Sequence, residues 1–264
     1  MARVAVRHSP ILERPASTLA FFYEKIAGAA PDYRVQGRSL PSPLICGACS
    51  FMPNATPSPG FVLHARGLRC SVGPQTLWGP LEVQLPPGVT WVSGGEGRGK
   101  SSLLRMLAGD LAVPGSSLQL AGVSLQSQPA HYGRLAFWMD PRTSAWEQTA
   151  AQQFLQQSSR QWPRWDAALC AGLVTALGLE EHLSKPMYML STGSKRKVWI
   201  AAACASGAEL TCLDEPFAAL DRGSIRTITE LLQDAAAHSP RAWVVADYEA
   251  PVGVPLASTI DLGD

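Results

Sequence analysis

The sequence predicts an α/β fold, a mainly parallel sheet flanked by helices, and three observations carry that expectation. The β-branched apolar segment 89–93 runs into a glycine-rich turn and then into the helical segment 101–108. A second apolar segment, 210–214, ends in two carboxylates. Apolar strands alternate with helical patterns on both sides of a helical stretch near the middle, an order that a parallel sheet covered on both faces explains.

The turn reads Gly94-Gly95-Glu96-Gly97-Arg98-Gly99-Lys100-Ser101, followed by Ser102, and has the form G-x-x-x-x-G-K-[ST]. Its glycines let successive backbone N–H groups close around phosphate oxygens, and the helix start adds the positive end of its dipole. Residues 94–102 are therefore the candidate nucleotide-binding loop of a phosphate-loop NTPase. Lys100 is expected to reach the β- and γ-phosphates, and the Ser101 hydroxyl to hold Mg²⁺. The bland alternative is a glycine-rich turn that binds nothing, and the correct strand and helix on either side argue against it.

The other elements follow in order. Strands are predicted at 61–64, 81–85 and 89–93, with Pro86-Pro87-Gly88 as the turn between the last two. Further strands fall at 118–120 and 135–139. Between 144 and 188 the texture is helical, with helices at 146–157 and 165–177. A third helix is placed at 191–205, then the strand 210–214, the helix 224–238 and strands at 243–246 and 258–262. Trp138, Trp146, Trp162 and Trp165 lie in or beside the helical stretch. They read more readily as its small core than as an exposed docking patch.

A chain of 264 residues holds one large α/β domain or two small ones. Its net charge of +1 argues against a nucleic-acid partner, which usually meets a basic surplus. No run of 18 apolar residues is present, so no segment reads as a membrane span. Residues 1–60 hold eight of the 21 prolines, and are expected to be a poorly ordered or non-core extension. A short helix at 17–29 within them is compatible with a targeting segment. Of six cysteines, only Cys46 and Cys49 have metal-ligand spacing, and no second pair completes a zinc site. Cys170, Cys204 and Cys212 fall in element interiors, where cysteine acts as a small hydrophobe. A reducing cytoplasm fits best.

Two more sites carry chemistry. The strand 210–214 delivers Asp214 and Glu215 to the carboxyl edge of the sheet, where open α/β folds bind ligands. Asp214 is expected to hold Mg²⁺, usually through water, and Glu215 to act as the base that polarises the attacking water. Upstream, Ser191-Thr192-Gly193-Ser194 opens a helix and offers another anion site. A helix cap explains Ser191 equally well when it is read alone.

Taken together, these motifs resemble those of the ATP-binding subunits of ABC transporters. Residues 94–101 match the Walker A motif, 190–194 look like the LSGGQ signature, 210–215 match Walker B, and Ala218-Ala219-Leu220-Asp221 resembles the D-loop. The resemblance covers 61–264 as the ATP-binding domain, with a helical subdomain at about 141–197 and a small antiparallel β part. Within the family, the compact size and the run 213–221 look most like the haem-exporter ATPases of cytochrome c maturation. The resemblance implies ATP and Mg²⁺ as ligands and a transmembrane permease as partner. It implies a head-to-tail homodimer or pseudo-dimer in which Ser191, Thr192, Gly193 and Ser194 of one domain close on the ATP of the other. It further implies a cytoplasmic protein, peripheral on the inner face of the cell membrane through its partner.

Departures from the family pattern are as specific as the matches. Asp140 stands at the Q-loop glutamine and Asp247 at the switch histidine, where they are the candidate Mg²⁺ ligand and switch residue. Val72 falls where an aromatic normally stacks on adenine. Thr192 and Ser194 replace a glycine and the glutamine of the signature, and Glu96 replaces an asparagine. The expected function is an ATP-hydrolysing subunit that powers a separate permease, with a low intrinsic rate. The alternative is a nucleotide-dependent regulatory switch of the same fold with little or no hydrolysis.

Overall fold

Two sheets enclose the helix that follows the glycine-rich loop. The computed structural model describes residues 5–8, 60–140 and 142–263. In chain order its first elements are β1 (Ala5–His8), β2 (Leu63–Val72), β3 (Gln75–Leu85), β4 (Gly88–Ser93), α1 (Lys100–Leu107), β5 (Ser117–Leu120), β6 (Val123–Ser124), α2 (Pro129–Tyr132) and β7 (Ala136–Phe137). There follow α3 (Ala151–Gln161), α4 (Ala167–Ala176), α5 (Thr192–Ala205), β8 (Leu210–Asp214), α6 (Arg222–His238), β9 (Ala242–Ala246) and β10 (Leu256–Asp261). The expected helix at 17–29 and the pair Cys46 and Cys49 lie outside the described residues.

Strands β2, β3, β5 and β6 make an antiparallel sheet in the order β3-β2-β5-β6. One face is buried and the other wet, so β3 alternates: Leu81, Val83 and Leu85 are inside while Glu82 is exposed. The larger sheet runs β1-β10-β4-β9-β8-β7. From β10 to β7 its neighbours are parallel, and β1 joins its edge antiparallel to β10.

Both faces of this sheet are covered, which is why β9 is buried along its whole length rather than in alternation. On one face Val92, Ala242, Val244, Leu210 and Cys212 pack with Leu103, Leu104 and Leu107 of α1 and with the antiparallel sheet. On the other face Val89, Leu213, Trp243 and Val245 pack against α5 and α6 and the helices before them. The predicted α/β architecture is present, with its small antiparallel part.

The helical stretch supplies α3, α4 and two short 3₁₀ turns, Glu180–His182 and Met187–Met189. Trp162 is buried and lies 5.4 Å from Phe137, and Trp146 meets the Phe154 ring edge-on at 5.1 Å. Trp165 packs against the same core, and Trp138 against the core around α1. These tryptophans are structural.

Two local expectations are corrected. The helix predicted at 146–157 starts at Ala151, because 147–150 instead lies beside 186–188. Met187 N–H donates to Thr149 O and Tyr188 N–H to Glu147 O, and the first helical N–H groups, of Ala151 and Gln152, donate to Lys185 and Leu183 carbonyls. The strand predicted at 61–64 extends to Val72, paired along its length with β3. Within the stretch 1–60, residues 5–8 form a sheet strand in register with Ser258 to Asp261.

Candidate functional site

Strands β4, β9 and β8 are neighbours and parallel, so their carboxyl ends converge. Val92, Ala246 and Asp214 stand in one row of the register. The segments leaving that row are the glycine-rich loop, Asp247 and Glu215. Open α/β sheets bind ligands at this edge.

The loop is built against the antiparallel sheet. Gly99 has φ of +83° and caps α1. A Cβ there would lie 2.9 Å from Cys70 Sγ and 3.1 Å from Trp78 Nε1, so both backbone angle and packing demand glycine. Trp78, buried in β3, donates its indole N–H to Arg98 O at 2.8 Å and fixes the loop from beneath. The Arg98 guanidinium turns away from the loop and donates to Leu262 O through Nε and Nη2. Gly95 N–H donates to Gly263 O. Glu96 is exposed on the rim of the loop.

Lys100 is buried, and its ammonium donates to Gly94 O at 2.6 Å and Gly95 O at 2.9 Å. The ring of Tyr248 lies over the same nitrogen, 4.3 Å from its centroid. Ser101, next in α1, donates its hydroxyl to Asp214 Oδ2 at 2.6 Å. Burial raises the pKa of Asp214, the Ser101 hydroxyl opposes that shift, and the Glu215 carboxylate adds to it. Ser102 lies beside the Cys70 thiol, whose pKa burial raises.

Glu215 leaves β8 with φ of +46°, and its N–H donates to Ala246 O at 2.8 Å. A left-handed glutamate is costly, and such conformations gather at functional sites. Asp247 follows β9, with its Oδ1 accepting from Tyr248 N–H at 2.8 Å and its carbonyl from Trp91 Nε1. Burial raises the Asp247 pKa, as do the Glu215 and Asp214 charges, while Lys100 lowers it. Asp140 is exposed and accepts from Arg142 N–H at 2.8 Å. Its charge is nonetheless near enough to contribute to the raised pKa of Asp214.

Among the described residues, no hydrogen bond joins 191–194 to the loop at 94–102. Ser191 caps α5 by accepting from Ser194 N–H at 3.0 Å. Gly193 touches 218–221 directly: a Cβ there would sit 2.3 Å from Ala219 O. Arg196 donates to Ala218 O, and Lys197 to Asp221 Oδ2 at 2.7 Å. Asp221 caps α6 through Ser224 N–H, and its bond from Lys197 holds its carboxyl well below the usual range.

Trp78, Arg196, Lys197 and Tyr248 receive no role from the sequence alone. Only Trp78 carried a signal, its place on the buried face of an alternating strand. The others are set by contacts between distant segments. Val72 is exposed at the end of β2.

A family profile described as ABC transporter matches residues 79–218. The cytochrome c biogenesis ATP-binding export protein CcmA of Pseudomonas syringae pv. syringae is 32% identical over 179 residues, 67% of this chain and 83% of that one. The same protein of Pseudomonas savastanoi pv. phaseolicola is 30% identical over 190 residues, 72% of this chain and 87% of that one. A solved ATP-binding subunit of an ABC transporter superposes with a TM-score of 0.62 at 20% identity, covering 70% of this chain and 79% of that chain.

Proposed function

Because the chain belongs to the ABC transporter family, we propose that it is an ATP-binding and ATP-hydrolysing subunit that powers transport by a separate membrane permease. The observation that carries this reading is the contact between Ser101 and Asp214 at the mouth of the loop that holds Lys100. A hydroxyl and a carboxylate are the hard oxygen donors that Mg²⁺ prefers, so the residues present fit the ion. Ser101 and Asp214 would hold it, with Asp140 contributing through water. When bound, Mg²⁺ would supply positive charge that offsets the negative charge of the phosphates.

The chain's own groups do the rest. Backbone N–H groups of 94–102 and the start of α1 cradle the phosphates, and Lys100 neutralises the β- and γ-oxygens. Glu215 accepts a proton from the attacking water as its oxygen bonds to the γ-phosphorus and the bond to the β-phosphate oxygen breaks. Ser191, Thr192, Gly193 and Ser194 would act on the ATP of a second domain in a head-to-tail dimer. Asp221, tied to Lys197 and to the cap of α6, would report on that dimer.

No helix among the described residues is long and apolar enough to cross a membrane, and a separate permease supplies the span in this reading. The relatives' names speak of export in cytochrome c biogenesis, which favours an exporter at the inner face of the membrane. The second reading, a regulatory switch with little hydrolysis, is favoured by one observation. Asp247, in the half-buried switch position, sets a carboxylate near Glu215, Asp214 and Lys100. Steady-state phosphate release with Mg-ATP separates the two readings. Turnover that Glu215→Gln abolishes supports the hydrolytic subunit, and nucleotide binding without turnover supports the switch.

A further inference from the structure

We propose that Tyr248 is a further residue of the nucleotide site, and that it acts by competition: its ring holds Lys100 until a phosphate takes its place. The inference rests on the nucleotide reading above. A lysine ammonium has three donors. In Lys100 two of them go to Gly94 O and Gly95 O. That leaves one, and the face of the Tyr248 ring covers the nitrogen at 4.3 Å. A phosphate oxygen that bonds to Lys100 must either break a loop bond or displace the ring.

Breaking a loop bond would leave a carbonyl unsatisfied beside a buried side chain. Displacing the ring is easier. Tyr248 is 56% exposed and lies outside any regular element, and no side-chain hydrogen bond among the described residues tethers its hydroxyl. Its backbone is anchored to Asp247 Oδ1, so the ring swings on a fixed stem next to the residue at the switch position. Contacts of a cation with an exposed aromatic face correspond to about a two- to five-fold change in an equilibrium. The ring therefore sets a modest threshold that a ligand reaching Lys100 must overcome.

The test is equilibrium and stopped-flow titration of the full chain with a fluorescent N-methylanthraniloyl ATP and Mg²⁺. Tyr248→Ala is expected to bind about two- to five-fold more tightly, with the gain in the association rate. Tyr248→Phe keeps the aromatic face and is expected to show less than half of that gain. Lys100→Ala removes the group for which ring and phosphate compete, so adding Tyr248→Ala to it should give no further gain. Weaker binding by Tyr248→Ala would mean that the ring contacts the nucleotide, and an unchanged Kd that it contributes nothing. Either overturns the proposal while leaving the nucleotide reading intact. If the wild-type chain binds no nucleotide, both fail together.

Discussion

Ser101 Oγ donates to Asp214 Oδ2 at 2.6 Å, joining the first turn of α1 to the end of β8 across 113 residues of sequence. The bond is short because an ionised acceptor strengthens it, and Asp214 is half-buried. The two groups satisfy one another, and a cation with hard oxygen preference would take both.

Ser101→Ala is accordingly expected to weaken the Mg²⁺ dependence rather than the nucleotide contact itself. The Mg²⁺ concentration for half-maximal phosphate release should rise about ten-fold or more, the scale of one lost charge-assisted bond. Nucleotide affinity without Mg²⁺ should change little. A Mg²⁺ titration that superposes on wild type would remove Ser101 from the ion's ligands.

Glu215→Gln is expected to lower turnover by about 10²–10⁴-fold, the usual contribution of a positioned base. Binding of Mg-ATP should persist, and the variant should accumulate a dimer visible by light scattering. Full activity in this variant would show that another group takes the proton from water.

Asp247 gives a prediction with a sign in pH. Its pKa is raised by burial and by Glu215 and Asp214. On lowering the pH it therefore protonates earlier than an ordinary aspartate, and its repulsion of a terminal phosphate fades. As the pH is lowered toward the carboxylate range, wild-type affinity for ATP should rise relative to that of Asp247→Asn, which has no charge to lose. Asp247→His should speed hydrolysis, and Asp247→Ala should alter it. Identical rates for all three proteins would place residue 247 outside the switch position.

Gly193→Ala tests the contact between α5 and the segment 218–221. Its Cβ would meet Ala219 O at 2.3 Å, so one backbone must move. Overpacking of this kind costs about 1–3 kcal/mol, or roughly 2–4 °C in Tm per kcal/mol for a domain of this size. Nucleotide binding by the isolated chain should survive, while dimer formation in the Glu215→Gln background should fall. An unchanged Tm and an unchanged dimer would show that 218–221 yields freely.

The boundary at residue 61 also has a measurable consequence. A chain starting at Phe61 is expected to keep its cooperative transition and its affinity for ATP. It should lose a few degrees in Tm, because β10 is left without its antiparallel edge partner β1. Loss of the cooperative transition would place much more of 1–60 in the core.

By itself the sequence determined what local chemistry can encode. The strand 89–93, the glycines and α1 were legible because a buried strand, a positive-φ turn and an amphipathic helix each leave a local pattern. Asp214 and Glu215 were legible because an apolar strand ending in acids is equally local. The start of α3 was not, since 147–150 finds its partners at 186–188 and propensity alone extends the helix too far. Nor was β1, whose strand exists only as an edge to β10, some 250 residues away. The tertiary structure alone decided that Ser101 meets Asp214, that Lys197 holds Asp221, that Trp78 carries the loop, and that Tyr248 covers Lys100. Each of these depends on two segments being brought together by burial of the sheet's two faces. Nothing in either segment's own pattern records the other.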